Sequence, residues 1–148
     1  MNCMTATNFI DTNVLVYAAS KASADQAKRA VARKLLAKDE IGFSAQVLQE
    51  FYSVAVTKER LKMTHDEALV VLQSLAAFPV WPVTRELVLK AIDLKQRFQL
   101  SYWDAAIRVA AKELGCDIVY SEDLNDGQEY DGVRVVNPFA SVGRAPVA

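Results

Sequence analysis

The residues best able to do chemistry in this chain are four carboxylates at unusual positions. Asp11 ends the apolar run NFI and is followed at once by Thr12, Asn13 and a second apolar run, VLVYA. Asp123 stands just beyond another apolar run, DIVY. Glu50 lies in QVLQEFYSVAV, on the border of the stripe that Val47, Phe51 and Val54 would make on a helix, with no lysine or arginine three or four positions away to neutralise it. Asp104, in SYWDAAIRVA, borders the stripe of Trp103, Ile107, Ala110 and Leu114. Carboxylates held together repel, so a cluster of them persists best when a divalent cation compensates it. All-oxygen ligands favour Mg²⁺ or Mn²⁺ over zinc or copper. Such an ion acidifies a bound water and coordinates a phosphate oxygen, which are the two needs of phosphodiester hydrolysis at neutral pH.

Taken singly, each acid also has an ordinary explanation. Asp11 can cap a following helix, Asp104 can complete a capping box with Ser101 or pair with Arg108, and Asp123 can belong to a polar turn with Asn125 and Gly127. What points to a site is the convergence of four acids on one edge. Rival chemistries lack their residues. His65 is the sole histidine and follows Thr64 at a helix start, so cleavage by paired acid and base histidines is not available. No GxSxG, GxGxxG or GxxxxGK[ST] occurs, and a phosphatase beginning DxDxT would need aspartate where Asn13 stands.

The elements that must position the acids follow from hydrophobic period and helix-start signals. Short apolar runs alternate with longer helical ones, the pattern of βα units with a parallel sheet. TNFI (7–10), IGF (41–43), FPVW (78–81), DIVY (117–120) and VRVV (133–136) read as five strands. Helices are expected from about residue 12 and over 24–38, 45–57, 65–76, 85–98 and 102–114. Ser23 with Gln26, Thr64 with Glu67 and Ser101 with Asp104 mark starts, Ser44 and Thr84 look like simpler caps, and Gly115 is a stop. On the second helix Ala27, Ala30, Val31, Leu35 and Leu36 read as the core face. The functional crevice of a parallel α/β sheet lies beyond the carboxyl ends of the strands. Asp11 follows the first strand and Asp123 the fourth, which puts both on that edge. One domain over 1–148 is expected, with a loosely structured tail from about Asn137.

Bulk properties set the limits. A chain of 148 residues with 52% hydrophobic content suits one core, and a net charge of −1 announces no overall basic field for nucleic acid. A polyanion must therefore be held by a local patch. TKERLK supplies Lys58, Arg60 and Lys62 directly after the Glu50 helix, although a solvated loop would look the same; Lys28, Arg29, Arg33 and Lys34 form a second group. Tyr102 and Trp103 are expected to pack rather than to stack on bases. Cys3 and Cys116 form no CxxC pair and read as free thiols of a reducing cytosol. With no basic leader and no apolar stretch near the ~18 residues of a membrane span, a cytoplasmic protein with no membrane partner is expected.

FIDTNVLVYA, SAQVLQEFY, LSYWDAAIRVAAKELGCDIVYSEDL and the closing VVNPF together resemble the PIN-domain ribonucleases, most closely the VapC toxins of bacterial toxin–antitoxin pairs. The resemblance spans nearly the whole chain. It implies a three-layer α/β/α sandwich with a five-stranded parallel sheet, an acidic Mg²⁺ or Mn²⁺ site and endonuclease action on RNA. Asp11 and Asp104 then stand as principal metal ligands, with Glu50 and Asp123 binding directly or through water and one of them helping to take the proton from the attacking water. Asn13 and Ser121 match positions that orient the acids, or else serve helix-start and turn hydrogen bonding. Asp126 is a second acid of the same loop that binds metal through water or merely shapes the turn. The resemblance further implies a VapB-like antitoxin and a homodimer. A housekeeping RNA-processing PIN nuclease and an inactive PIN-like binding module are the alternatives; the intact acidic set counts against the module.

Overall fold

The computed structural model describes residues 5–59 and 61–142. Its chain alternates strand and helix as the periodicity requires: β1 (Asn8–Ile10), α1 (Thr12–Ala19), a 3-10 turn (Ser23–Asp25), α2 (Gln26–Leu36), β2 (Ile41–Ser44), α3 (Ala45–Thr57), α4 (His65–Ser74), β3 (Val80–Trp81), α5 (Arg85–Phe98), α6 (Tyr102–Glu113), β4 (Ile118–Tyr120), β5 (Glu129–Tyr130) and β6 (Val133–Val136). The sheet order is β3-β2-β1-β4-β6-β5. All five expected strands are present and run parallel, and a sixth is added, because β5 folds back on β6 as an antiparallel edge. That two-residue strand escapes period analysis. Its turn is made by Asp131 and Gly132, both at positive φ. The sheet is flanked by helices as an α/β/α arrangement, with α1 to α4 packed as one group and α5 with α6 as another.

Local chemistry explains the helix ends. Thr64 and Glu67 form a complete capping box, and Ser44, Thr84 and Ser101 each accept a backbone N–H from the third residue of their helix. Gly115 takes φ +86° and closes α6 with Cys116 N–H bonded to the Ala111 carbonyl. Ser23 does not start α2: it opens the 3-10 turn, and α2 begins after Asp25 without a side-chain cap. The face that α2 buries is also rotated from the expected one. Ala32 and Leu35 are buried while Ala27 and Ala30 are exposed, because the half-buried Lys28 and Arg29 lie inward to bond other elements.

The core runs through Phe9, Ile10, Val14, Leu15, Ile41, Phe43, Val47, Phe51, Val119 and Val135, which are all essentially inaccessible. Ala55, not Val54, completes the buried stripe of α3. Helix α6 is buried on almost every side from Ala105 to Ala111, as its small side chains allow a helix lying between sheet and α5. Trp103 departs from its expected role, standing 64% exposed in the first turn of α6 and in edge contact with Tyr102. Past β6 the chain is ordered further than its composition suggests. Residues to 142 form turns, and Phe139 is buried with its ring 5.0 Å from that of Tyr17. Gly143 and Pro146, like Cys3 and Arg60, lie outside the described residues.

Candidate active site

Parallel pairing of β1 with β4 sets Ile10 opposite Tyr120, so the next residues, Asp11 and Ser121, leave the sheet side by side. Asp11 N–H still bonds the Tyr120 carbonyl at 3.1 Å, and Ser121 N–H the Val136 carbonyl at 3.1 Å. The Ser121 hydroxyl donates to Asp11 Oδ2 at 2.7 Å, while Asp11 Oδ1 accepts the Thr12 N–H at 2.7 Å and so caps α1. The capping role and a place at the strand edge therefore coexist. Asp11 is only 7% exposed. Burial, partly offset by those two hydrogen bonds, and the nearby charges of Glu50 and Asp123 push its carboxyl up to about 6.

Glu50 enters from α3. Its missing cation is replaced by two neutral donors: the Thr12 hydroxyl reaches Oε2 at 2.8 Å and Gln46 Nε2 reaches Oε1 at 2.9 Å. Neither residue was expected at the site, although Gln46 stands one helical turn before Glu50, where a helix brings side chains together. Asp123 enters from the loop after β4, with its N–H bonded to the Ser121 hydroxyl at 3.1 Å. Asn13 spans the two chain ends: its Nδ2 donates to Asp123 Oδ2 at 3.2 Å and to Ser121 Oγ at 3.3 Å, and its Oδ1 accepts the Glu122 N–H at 3.2 Å. Thr12, Asn13, Glu50 and Asp123 line a cleft of about 440 Å³ with Val16, Tyr17, Ser53, Val54 and Glu122.

Asp104 makes no described hydrogen bond with this group. Its N–H bonds Ser101 Oγ at 3.1 Å, and the Asp11 carboxyl feels Glu50 and Asp123 but not Asp104. The end of α6 opposite to Asp104 lies at the amino end of β1, where the Leu114 carbonyl accepts the Ala6 N–H. Ten residues of helix span roughly 15 Å, so Asp104 stands toward the carboxyl edge of the sheet. The expected pairing with Arg108 is not among the described ion pairs. Asp126 accepts the Asn137 N–H at 2.9 Å and holds the turn after β6.

The basic residues are mostly engaged. Lys28 donates to Glu122 at 2.7 Å and to the Tyr17 hydroxyl at 3.2 Å, and Tyr17 donates to the other Glu122 oxygen at 3.0 Å. Hydrogen bonding to Glu122 raises the Lys28 pKa above its ordinary value. Arg29 and Arg33 donate to carbonyls at the end of α1, on Ser20 and Ala18. Lys62 pairs with Glu59 at 2.8 Å. Lys58 is exposed and borders a groove with Val16, Val54 and Leu61 that shares two walls with the acidic cleft. His65 shares a hydrogen bond with the Tyr52 hydroxyl at 2.9 Å.

The chemistry of the donor set suits a hard divalent cation. The acids offer only oxygen, two of them already raise the pKa of the third, and no lysine or arginine is paired with Asp11, Glu50 or Asp123 among the described residues. Their oxygens are turned to hydroxyl and amide donors, and among the described residues no three His, Cys, Asp or Glu side chains close on a common point.

No curated protein matches the chain. Its fold is similar to that of VapC20 from Mycobacterium tuberculosis, a sarcin-ricin loop cleaving toxin, at 21% identity over 79% of this chain and 90% of that one, with a TM-score of 0.63. It is also similar to a toxin–antitoxin complex from Klebsiella pneumoniae (18% identity, 89% and 98% covered, TM-score 0.66) and to DNA-bound VapBC from Salmonella typhimurium (15%, 88% and 97%, 0.61). The PIN domain family model matches residues 9–128, most of the chain, with the edge residues of both β1 and β4 inside the match, and the protein belongs to the PIN-domain family.

Proposed function

We propose that this chain is a Mg²⁺- or Mn²⁺-dependent endoribonuclease and the toxin of a toxin–antitoxin pair. The observation that carries the reading is the meeting of Glu50 and Asp123 at one cleft of a PIN-domain chain, with the charges of both acting on the buried Asp11 carboxyl. PIN-domain nucleases are generally dependent on a divalent metal. The residues that would hold the ion are Asp11 and Asp104, with Glu50 and Asp123 directly or through water. When bound, the ion supplies a more acidic water and charge neutralisation at the phosphate. Glu50 or Asp123 then accepts a proton from the attacking water at a carboxylate oxygen. Ser121 and Asn13 orient Asp11 and Asp123 through the bonds described above. Lys58 and Lys62, with Arg60 between them in sequence, contact RNA phosphates without reading sequence.

Toxin rather than housekeeping enzyme is favoured by the toxin and toxin–antitoxin structures to which the fold is similar. A VapB-like antitoxin fits the apolar groove of Val16, Val54 and Leu61 beside the acids. An arginine of that partner would satisfy several carboxylates at once. A homodimer is proposed as well, since Val83, Leu89, Ile92 and Trp103 leave apolar surface exposed. The test has two parts. Purified protein should cleave structured RNA with Mg²⁺ or Mn²⁺, stop with chelator, and lose cleavage in Asp11→Asn and Asp104→Asn variants that remain folded. Induced expression should arrest bacterial growth, and co-expression of the gene immediately upstream should relieve the arrest by forming a complex. Cleavage without arrest would favour the housekeeping reading, and cleavage retained in both variants would remove the acidic site.

A further inference from the structure

Arg108 is placed where an apolar side chain would be expected. It stands among Ala105, Ala106, Ile107, Val109, Ala110 and Ala111, all buried, and is itself only 2% exposed. Its Nε and Nη1 meet no acceptor. The acids that share its cavity are engaged elsewhere, Glu113 by Lys90 and Asp93 and Asp131 by Arg97, and Asp104, one helical turn before it, acts on it by its charge without forming a described ion pair. The ring of Tyr130 lies over the guanidinium with its centroid at 4.8 Å. Burial pushes the Arg108 pKa below its ordinary value. A charged group held in an apolar wall with two idle donors costs stability that methionine at this position would not.

The same side chain borders a cavity of about 420 Å³ between α5, α6 and the β5–β6 hairpin. That volume is within the range of small-molecule sites. Leu89, Leu94, Val109 and Val133 form apolar walls, and Lys112 stands on the rim. None of the residues lining this cavity lines the acidic cleft. We propose that the cavity binds a small organic monocarboxylate, with its charge met by Arg108 and its apolar body against Leu89, Leu94, Val109 and Val133.

The charge balance selects that class. Three rim acids, Asp93, Glu113 and Asp131, are matched by Lys90 and by the doubly engaged Arg97, with Lys112 also acting on Asp131. Arg108 is left as the buried cation of this cavity with no ion pair among the described residues, only the charge of Asp104 acting on it from a turn away. One negative charge completes the set, whereas a dianion such as phosphate would meet the rim acids with its second charge. The donors idle on Arg108 are those a carboxylate can accept from, and such bonds are stronger than neutral ones. Entry to them requires the Tyr130 ring to yield, and that residue sits on a two-residue edge strand.

The experiment is a methyl NMR titration of the full chain with 3-phenylpropionate, with 3-phenylpropanamide as the neutral control and inorganic phosphate as the charge-only control. Saturable shifts are expected at the methyls of Leu89, Leu94, Val109 and Val133, with binding of the amide weaker by roughly tenfold or more, the worth of one charge-assisted hydrogen bond. Arg108→Met should abolish carboxylate binding while its melting temperature stays equal or rises. Absence of shifts at millimolar carboxylate, equal binding of the amide, or phosphate binding as tight as the carboxylate would each overturn the proposal. The comparison of carboxylate with amide uses the unaltered protein, so it stands if Arg108→Met does not fold. RNA cleavage is no part of the readout, so failure here leaves the acidic site untouched.

Discussion

Asp11 and Ser121, 110 positions apart in sequence, meet with the Ser121 hydroxyl 2.7 Å from Asp11 Oδ2, because each is the first residue past one of two paired parallel strands. The same hydroxyl accepts the Asp123 N–H at 3.1 Å, so one serine is bonded to two of the candidate acids. Ser121→Ala should leave the sheet intact and still let Asp11 drift. Cleavage is expected to fall by roughly tenfold or more, measured as the initial rate on a fixed RNA at saturating metal. A rate unchanged from the parent would separate the serine from the site.

The Asp11 carboxyl sets a pH dependence of stability. Its pKa is about 6 in the fold against 3.8 for the free side chain, so the folded state holds a proton that the unfolded chain has released. Stability of the metal-free protein should therefore fall as pH rises from about 4 to about 6, by about 3 kcal/mol at most. Asp11→Asn removes the titration and should flatten this part of the melting curve against pH, with the variant more stable than the parent at pH 7. A parent more stable at neutral than at mildly acid pH in this window would contradict the burial of an uncompensated acid.

Lys28, Tyr17 and Glu122 tie α2 and α1 to the loop that carries Asp123. Lys28→Met keeps an unbranched apolar stem but removes the ammonium that bonds Glu122 and lies over the Tyr17 and Phe139 rings. Cleavage should drop with little change in melting temperature, and Glu122→Gln should produce a similar drop. If Lys28 instead contacted RNA phosphate, its loss would weaken RNA binding and reduce the salt dependence of affinity, while Glu122→Gln would not.

Gly42 tests packing away from the cleft. A Cβ there would stand 2.9 Å from Ala6 Cβ and 3.1 Å from Leu114 Cδ1, with the backbone of β2 fixed by two neighbouring strands. Gly42→Ala should cost roughly 1–3 kcal/mol, read as a lower denaturant midpoint with unchanged slope. Unchanged stability would mean that the amino end of β1 moves freely.

His65→Ala should leave cleavage unaltered, since the ring shares its described hydrogen bond with Tyr52 at the start of α4 and lines neither the cleft nor its adjoining groove. A large loss would return histidine to the chemistry.

Much of this arrangement is written in the sequence because it depends on local period and on strand ends. The apolar runs around Phe9, Phe43 and Val119 specify the parallel strands, and a residue just past a parallel strand falls on the carboxyl edge whatever the rest of the chain does. Asp11 and Asp123 were therefore placeable from their neighbours alone, and Thr64 with Glu67 marked a helix start by hydrogen bonding within four residues. Partners across the chain were not legible, because they follow from strand register and helix rotation, which only packing sets. The hold of Thr12 and Gln46 on Glu50, the inward turn of Lys28 to Glu122, the exposure of Trp103, and the folding of β5 onto β6 all arise there. So does the place of Asp104 relative to the other three acids: its helix face could be read from period, but how near it comes to Asp11 depends on where α6 crosses the sheet. Arg108 is the sharpest case. Sequence pairs it with Asp104 one turn away, and tertiary structure buries it against Tyr130, from a strand more than twenty positions on.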